Sequence, residues 1–395
     1  MTLIDDARAL LPDLVALRRD LHRNPEVGLV LPETQRRVLE ELDGLGLEIT
    51  TGTNTTSVTA VLRGGRPGPV VLLRGDMDAL PVREETGLDF AATNGNMHAC
   101  GHDLHVSGLV GAARLLAARR EELPGSVIFM FQPGEEGDGG AKVMIDEGVL
   151  DAAGERPVAA YGIHVATGPW GEFSSRPGPL MAGANQLHVT VHGRGGHGSQ
   201  PHTSTDPVPA LLEIGTALNA MVTRKFSVFD PIVVTVTQLH AGEAINVIPP
   251  TATLGATVRT LSKEHTDLVI AETRRLAEGI AAAHGCTADV ALDVMYPVTL
   301  NDPGEADFMA DTLRDMFGAD RYVDLPVPMM GSEDFSFVLD EVPGAFLFLG
   351  CTPRDRDPRS EPWNHSPLVH FDDEMLADQA AALAELALRR LAKGA

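Results

Sequence analysis

Apolar and polar positions follow two different rhythms along the chain. In the first part, short unbroken apolar runs end in Gly, Pro or acidic clusters. Val70–Leu73 in "RPGPVVLLRGDMDALP" reads as a buried strand that runs into a loop, and "GSVIFMFQPGEEGDGG" (125–140) and "VAAYGIHVATGP" (158–169) repeat the form. Between them, "LHVSGLVGAARLLAARREEL" (104–123) spaces its apolar residues as a helix does. Strands alternating with helices predict a largely parallel sheet, in which ligands sit beyond the carboxyl ends of the strands.

From residue 184 the rhythm changes. "NQLHVTVHG" alternates like a half-exposed strand, and "PIVVTVTQLH", "TATLGATVRT" and "TADVALDV" read as further strands. Two helices separate them. One starts at Asp206–Pro207, an N-cap followed by Pro at the first helical position; the other starts at Ser262. The order βαββαβ is that of the ferredoxin-like unit. The expected organisation is therefore an α/β catalytic domain over residues 1–183 and 296–395, with a mostly parallel (mixed) sheet flanked by helices. An inserted α+β satellite domain fills 184–295, and "DEMLADQAAALAELALRRLA" forms a closing helix.

Composition narrows the classes. With 395 residues, 44% hydrophobic and 22% charged, the chain reads as a multidomain globular protein. A net charge of −24 argues against nucleic acid and anionic membrane as partners, since both reward Lys and Arg. Three widely spaced cysteines make no disulfide framework. The opening "MTLIDDARALLPDLVALRRDLHRNPE" lacks the basic start, apolar run and cleavage site of a secretory signal, so the expected location is cytoplasmic.

The clusters "DMDALP", "QPGEEGDGG" and "GIHVATG" all follow strand runs, and further chemistry-bearing residues lie on loops. Cys100 and His102 in "MHACGHD" are two apart, which on an extended loop turns both donors to one side. Glu135–Glu136 follows a strand run, and adjacent carboxylates beside a metal can divide ligation from proton transfer. His164 ends another run and His365 lies in "WNHSP". Alone, each has a plain structural reading. Together, Cys100, His102, Glu136, His164 and His365 exceed the roughly three protein ligands of a simple catalytic zinc and suit a pair of metals that share one ligand. "GRGGHG" fits a dinucleotide-binding spacing, but prolines follow it where a helix must start, so it is set aside. His22, His192, His202, Cys286 and Cys351 take structural readings; Met329, Met330 and Phe335 suit either an acyl pocket or core packing.

The ordered motifs "GDMDALP", "MHACGHD", "QPGEEG", "GIHV", "GRGGHGSQPH", "INVIPPTATLGATVRT", "GSEDFSF" and "HSP", preceded by "RRDLHRNPE", resemble those of the di-metal aminoacylase/carboxypeptidase family. The nearest branch is that of hippurate hydrolases, N-acyl-amino-acid amidohydrolases and auxin-conjugate hydrolases. The resemblance implies that Cys100, His102, Glu136, His164 and His365 ligate two divalent ions (Zn, Mn, Co or Ni), with Glu135 as general base to a metal-activated water. It implies that Asp78 supports the metal site and that His197 stabilises the oxyanion in a partner subunit. Asn246 and Arg259 would hold the substrate carboxylate, and the protein would be a homodimer through the satellite domain. The implied substrate is a small N-acyl-L-amino acid. One departure is Asp76-Met77-Asp78, where carboxypeptidase members carry H-x-D. The competing readings are a dipeptidase, aminopeptidase or N-acetyl-diaminopimelate-type deacetylase on the same site, or a non-enzymatic metal-binding protein.

Overall fold

The computed structural model describes residues 2–394, which divide into two compact units: residues 2–180 with Leu300–Val327 and 334–394, and Met181–Thr299 with Pro328–Glu333. The second unit reaches beyond 184–295 because Ala182 N–H donates to the carbonyls of Met329 (3.0 Å) and Gly331 (2.9 Å), which adds a short return segment.

Among the described residues, the first unit holds an eight-stranded mixed sheet. Its order is Glu48–Thr51, Val58–Arg63, Pro124–Gln132, Arg66–Asp76, Ala159–Ala166, Gly344–Gly350, Phe173–Ser175 and Tyr322–Asp324. The middle four strands run parallel, while the first two pair antiparallel. Parallel strands covered on both faces need apolar residues without alternation. All of Ala159–Ala166 is accordingly buried, as is Val70–Asp76. Helices Leu3–Arg23, His102–Ala117 and Met375–Lys393 pack on one another, and the last two also pack on the sheet.

Gly75 permits this packing, because a Cβ there would stand 2.8 Å from the His105 carbonyl oxygen. The helix expected to reach Leu123 ends at Ala117 and passes into a 3-10 turn, Arg120–Glu122. Pro124 ends the helical backbone altogether, since a residue before proline avoids it and Leu123 is extended (ψ 120). Three adjacent strands finish at one edge with Asp76, Gln132 and Ala166, and the chemistry-bearing loops leave from there.

The second unit has a four-stranded antiparallel sheet of order Val233–Ala241, Thr251–Thr260, Gly183–His192, Thr287–Tyr296. Helix Pro207–Lys225 starts with Asp206 accepting from Val208 N–H, and helix Lys263–Ala283 with Ser262 accepting from His265 N–H. Both helices cover one sheet face, with Leu187, Val189, Ile214, Leu218, Leu254 and Val269 in the core. Among the described residues, no helix is long and apolar enough to cross a membrane.

Candidate metal centre

Cys100 and His102 face one place, although by a different route from the extended loop that their spacing suggested. Gly101 takes the left-handed conformation (φ 83) and His102 opens the helix His102–Ala117 directly after it. Glycine is required, because a Cβ would meet Val165 Cγ2 at 2.4 Å. His102 Nδ1 donates to the Asp78 carbonyl oxygen (2.8 Å), which fixes the ring; its buried Nε2 makes no hydrogen bond and lies 3.4 Å from Asp76 Oδ2. His164, near the end of its strand, donates from Nδ1 to the Val165 carbonyl (2.7 Å), while its Nε2 lies 3.4 Å from Cys100 Sγ.

His365 comes from the far end of the sequence. Its Nε2 stands 3.3 Å from Cys100 Sγ and 3.1 Å from Glu136 Oε1. Its backbone is left-handed (φ 73), which is unusual for a non-glycine residue, and its N–H donates to the Ala99 carbonyl (2.8 Å). Asn364 ties the two segments, because Nδ2 donates to the carbonyls of Val165 (3.0 Å) and Cys100 (3.3 Å). The Asp78 carboxylate accepts both backbone N–H groups of the acidic pair, Glu135 on Oδ1 and Glu136 on Oδ2, each at 3.0 Å. One residue thus holds His102 through its carbonyl and the Glu pair through its carboxylate.

The donor atoms form overlapping groups. Those of Cys100, His102 and His164 lie within 4.8 Å of one another, as do those of Cys100, Glu136 and His365 and those of His102, Glu135 and Glu136. Cys100 Sγ belongs to the first two. Two donors bound to one tetrahedral cation at about 2.0–2.3 Å stand about 3.5 Å apart. The sulfur–nitrogen separations of 3.4 and 3.3 Å match that spacing. Together with a buried His102 Nε2 that makes no hydrogen bond, they make the donors fit a cation pair that shares the thiol. Thiolate, imidazole and carboxylate together suit zinc and its first-row neighbours.

Electrostatics without a cation are unfavourable for this cluster. Burial pushes the Cys100 thiol up to about 12, so it stays protonated, and burial lowers His164. Burial is the largest influence on His102 and opposes its charge, but the Asp76 carboxylate together with the contacts to Asp78 and Cys100 outweighs it and holds the imidazole well above its usual range. Glu136 is lowered in spite of burial, chiefly by its contact with His365. A cation would remove the thiol's proton and gather these donors around one charge.

The remaining expected residues lie in the second unit. His197 is exposed and pairs with Val247 in a two-stranded ribbon; Ser199 N–H donates to its Nδ1 (3.1 Å), which leaves the ring proton on Nε2. Gly198 N–H donates to the Asn246 carbonyl (2.8 Å), so His197 and Asn246 are neighbours. Arg259 is half-buried on strand Thr251–Thr260, and burial alone lowers its guanidinium, no carboxylate contributing among the described residues. Of the residues with two readings, Phe335 is core, fully buried against Phe346 (5.6 Å).

Residues that sequence reasoning passed over complete the surroundings. His105 stacks on His102 (5.2 Å between ring centres) and meets His164 edge-on (4.8 Å). Its helical spacing of three from His102 in "GHDLH" was the available signal. Arg74, Gln132 and Asp334, all buried, carried none that pointed to one another.

The comparisons with known proteins agree with this geometry. The family model for peptidase family M20/M25/M40 matches residues 72–389. The chain is 36% identical over 391 residues to thermostable carboxypeptidase 2 of Saccharolobus solfataricus, covering 98% of this chain and 97% of that protein. It is 34% identical over 393 residues to the hippurate hydrolase of Campylobacter jejuni, covering 99% and 100%. Among solved structures, the YXEP protein of Bacillus subtilis, described as a dinuclear metal binding peptidase from the M20 family, superimposes with a TM-score of 0.85 at 34% identity, covering 98% of this chain and 99% of that one. The fold, the gathered donors and near full-length sequence similarity therefore agree that the chain belongs to peptidase family M20/M25/M40, as a hydrolase of amide bonds.

Proposed function

We infer that the protein hydrolyses N-acyl-L-amino acids at a centre of two divalent cations held by Cys100, His102, Glu136, His164 and His365. The observation that carries this reading is the Cys100 sulfur common to two donor groups, beside a glutamate pair whose backbone is fixed by Asp78. When bound, two such cations supply Lewis acidity and lower the pKa of water toward neutrality.

The chain's own residues do the rest. Glu135 takes a proton from the attacking water as the new C–O bond forms at the acyl carbon. It then delivers that proton to the nitrogen as the C–N bond breaks, so the amine leaves neutral and the acid is released. His197, with its proton on Nε2, donates to the developing oxyanion in the centre of a partner copy. Arg259 and Asn246 hold the substrate's α-carboxylate; a half-buried guanidinium with no carboxylate pairing it is the support for this assignment.

The second unit is read as a ferredoxin-like dimerisation module. The support is its strand order and the exposed edge strand Val233–Ala241, with Leu239, Val247 and Ile245 open to solvent nearby.

Relatives named carboxypeptidase and hippurate hydrolase match at similar identity, and they favour one substrate logic. In a hippurate and at a peptide C-terminus alike, the scissile nitrogen belongs to an amino acid with a free carboxylate. The test is amino-acid release from N-acetyl and N-benzoyl amino acids and from dipeptides, with and without chelator. Chelator-sensitive release from the acyl compounds supports the reading. Release from dipeptides alone replaces it with a peptidase.

A further inference from the structure

Arg74 is 2% exposed and uses its whole guanidinium in three directions. Nε donates to Gln132 Oε1 (2.9 Å), Nη1 to Asp76 Oδ2 (2.6 Å) and Nη2 to Asp334 Oδ1 (3.0 Å). The sequence places these partners. Arg74 and Asp76 are two apart on one strand and so share a face, and Asp76 is in register with Gln132 on the neighbouring strand.

From this charge two chains of contacts reach the candidate centre. On one side, Asp334 accepts from Gln132 Nε2 (2.8 Å) and from Ala141 N–H (2.9 Å), and its own backbone N–H lies 3.4 Å from Glu135 Oε1. On the other side, Asp76 accepts from His105 Nδ1. His105 Nε2 in turn accepts from Val165 N–H (2.8 Å), beside His164, and its ring packs on both His102 and His164. A fully buried arginine between two fully buried aspartates is costly to desolvate, and its hydrogen bonds to both offset that cost.

We propose that Arg74 is a positioning residue that ties the proton-transferring Glu135 and the imidazoles His102 and His164 to one buried charge, through Asp334 on one arm and Asp76–His105 on the other. This rests on the assignment of Glu135 and the two imidazoles made above. The arms act on different quantities. The Asp334 arm sets where Glu135 stands and so affects kcat. The His105 arm sets the imidazoles and so affects metal affinity.

The experiment compares wild type, Asp334→Asn and His105→Gln for kcat, KM and cobalt affinity by chelator competition, together with the cobalt absorption spectrum. Partners of this kind are typically worth about 10- to 100-fold. D334N is expected to lose kcat by about that factor with KM, cobalt affinity and spectrum unchanged; H105Q is expected to lose cobalt affinity by a similar factor with a shifted spectrum. Because D334N can fail to fold, Gln132→Met serves beside it. It removes the Gln132 donor to Asp334 and the acceptor of Arg74 Nε, while the Arg74 Nη2 and Ala141 N–H bonds to Asp334 stay, and it is expected to lower kcat in the same way by a smaller factor. A kcat within about twofold of wild type in the folded Asp334-arm variants, or wild-type cobalt affinity in H105Q, overturns the proposal. Wild-type turnover is read first. Its absence counts against the proposed function, and the cobalt affinity of H105Q then decides this inference by itself.

Discussion

The two sheets of the molecule differ in what their faces meet. In the first unit the central strands are parallel and buried on both sides, and every residue of Ala159–Ala166 is covered. In the second unit the antiparallel strand Thr287–Tyr296 alternates, with Asp289, Asp293 and Val294 among the positions it gives to solvent. The chemistry follows the same division. Cys100, His102, His164 and Glu135 are buried, and His102, His164 and Glu135 have a backbone or side-chain partner that fixes them. His197 and Asn246 are exposed on a ribbon. A buried polar residue must be satisfied in place and is therefore preorganised, whereas an exposed one can wait for what it binds.

That contrast sets the order of expected effects. Glu135→Ala should lower kcat by about 10²- to 10⁴-fold with metal content unchanged, as read by turnover and metal analysis of the same preparation. Retained turnover would remove Glu135 as the base. On the exposed side, His197→Ala should cost about 10²- to 10³-fold. Mixing it with Glu135→Ala subunits should restore part of the activity, because one hybrid centre receives an intact residue from each chain. No recovery after confirmed subunit exchange would place His197 outside a shared centre. Arg259→Lys keeps charge but loses the planar fork, so KM should rise by about tenfold with a smaller change in kcat.

Stability should divide in the same way. Phe129→Ala in the covered sheet should destabilise the protein by about 3–5 kcal/mol, measured by denaturant unfolding. Leu239→Ala, at a side chain 50% exposed, should cost less than about 0.5 kcal/mol in the monomer while weakening self-association in sedimentation. Equal losses at the two positions would erase the distinction.

The sequence was most readable where a local rule governs. Asp206–Pro207 and Ser262 start the two helices because capping depends on residues within one turn. The runs at 70–73 and 158–166 are strands because continuous apolar character has few other uses at that length. Glu136 and His164 stood out as donor types after strand runs and Cys100, His102 and His365 as donor types on loops, and their donor atoms do form overlapping groups. The reason given for Cys100 and His102 did not hold, since a left-handed Gly101 and a helix start, not an extended loop, turn them together. The Arg74–Asp334 pair spans 260 residues of sequence, and no spacing rule reaches that far. His105 was overlooked; it lies among apolar residues at the start of a buried helix, and nothing in that spacing sets it apart as a partner of Asp76.

The central claim is that one sulfur serves both cations. Its direct test is a cobalt(II) titration of wild type and Cys100→Ala, following bound metal and the sulfur-to-cobalt charge-transfer band. The account predicts about two equivalents and a charge-transfer band in wild type, with the band lost and both equivalents weakened together in C100A. Two equivalents bound by C100A with wild-type affinity, or one weakened while the other is untouched, would contradict it.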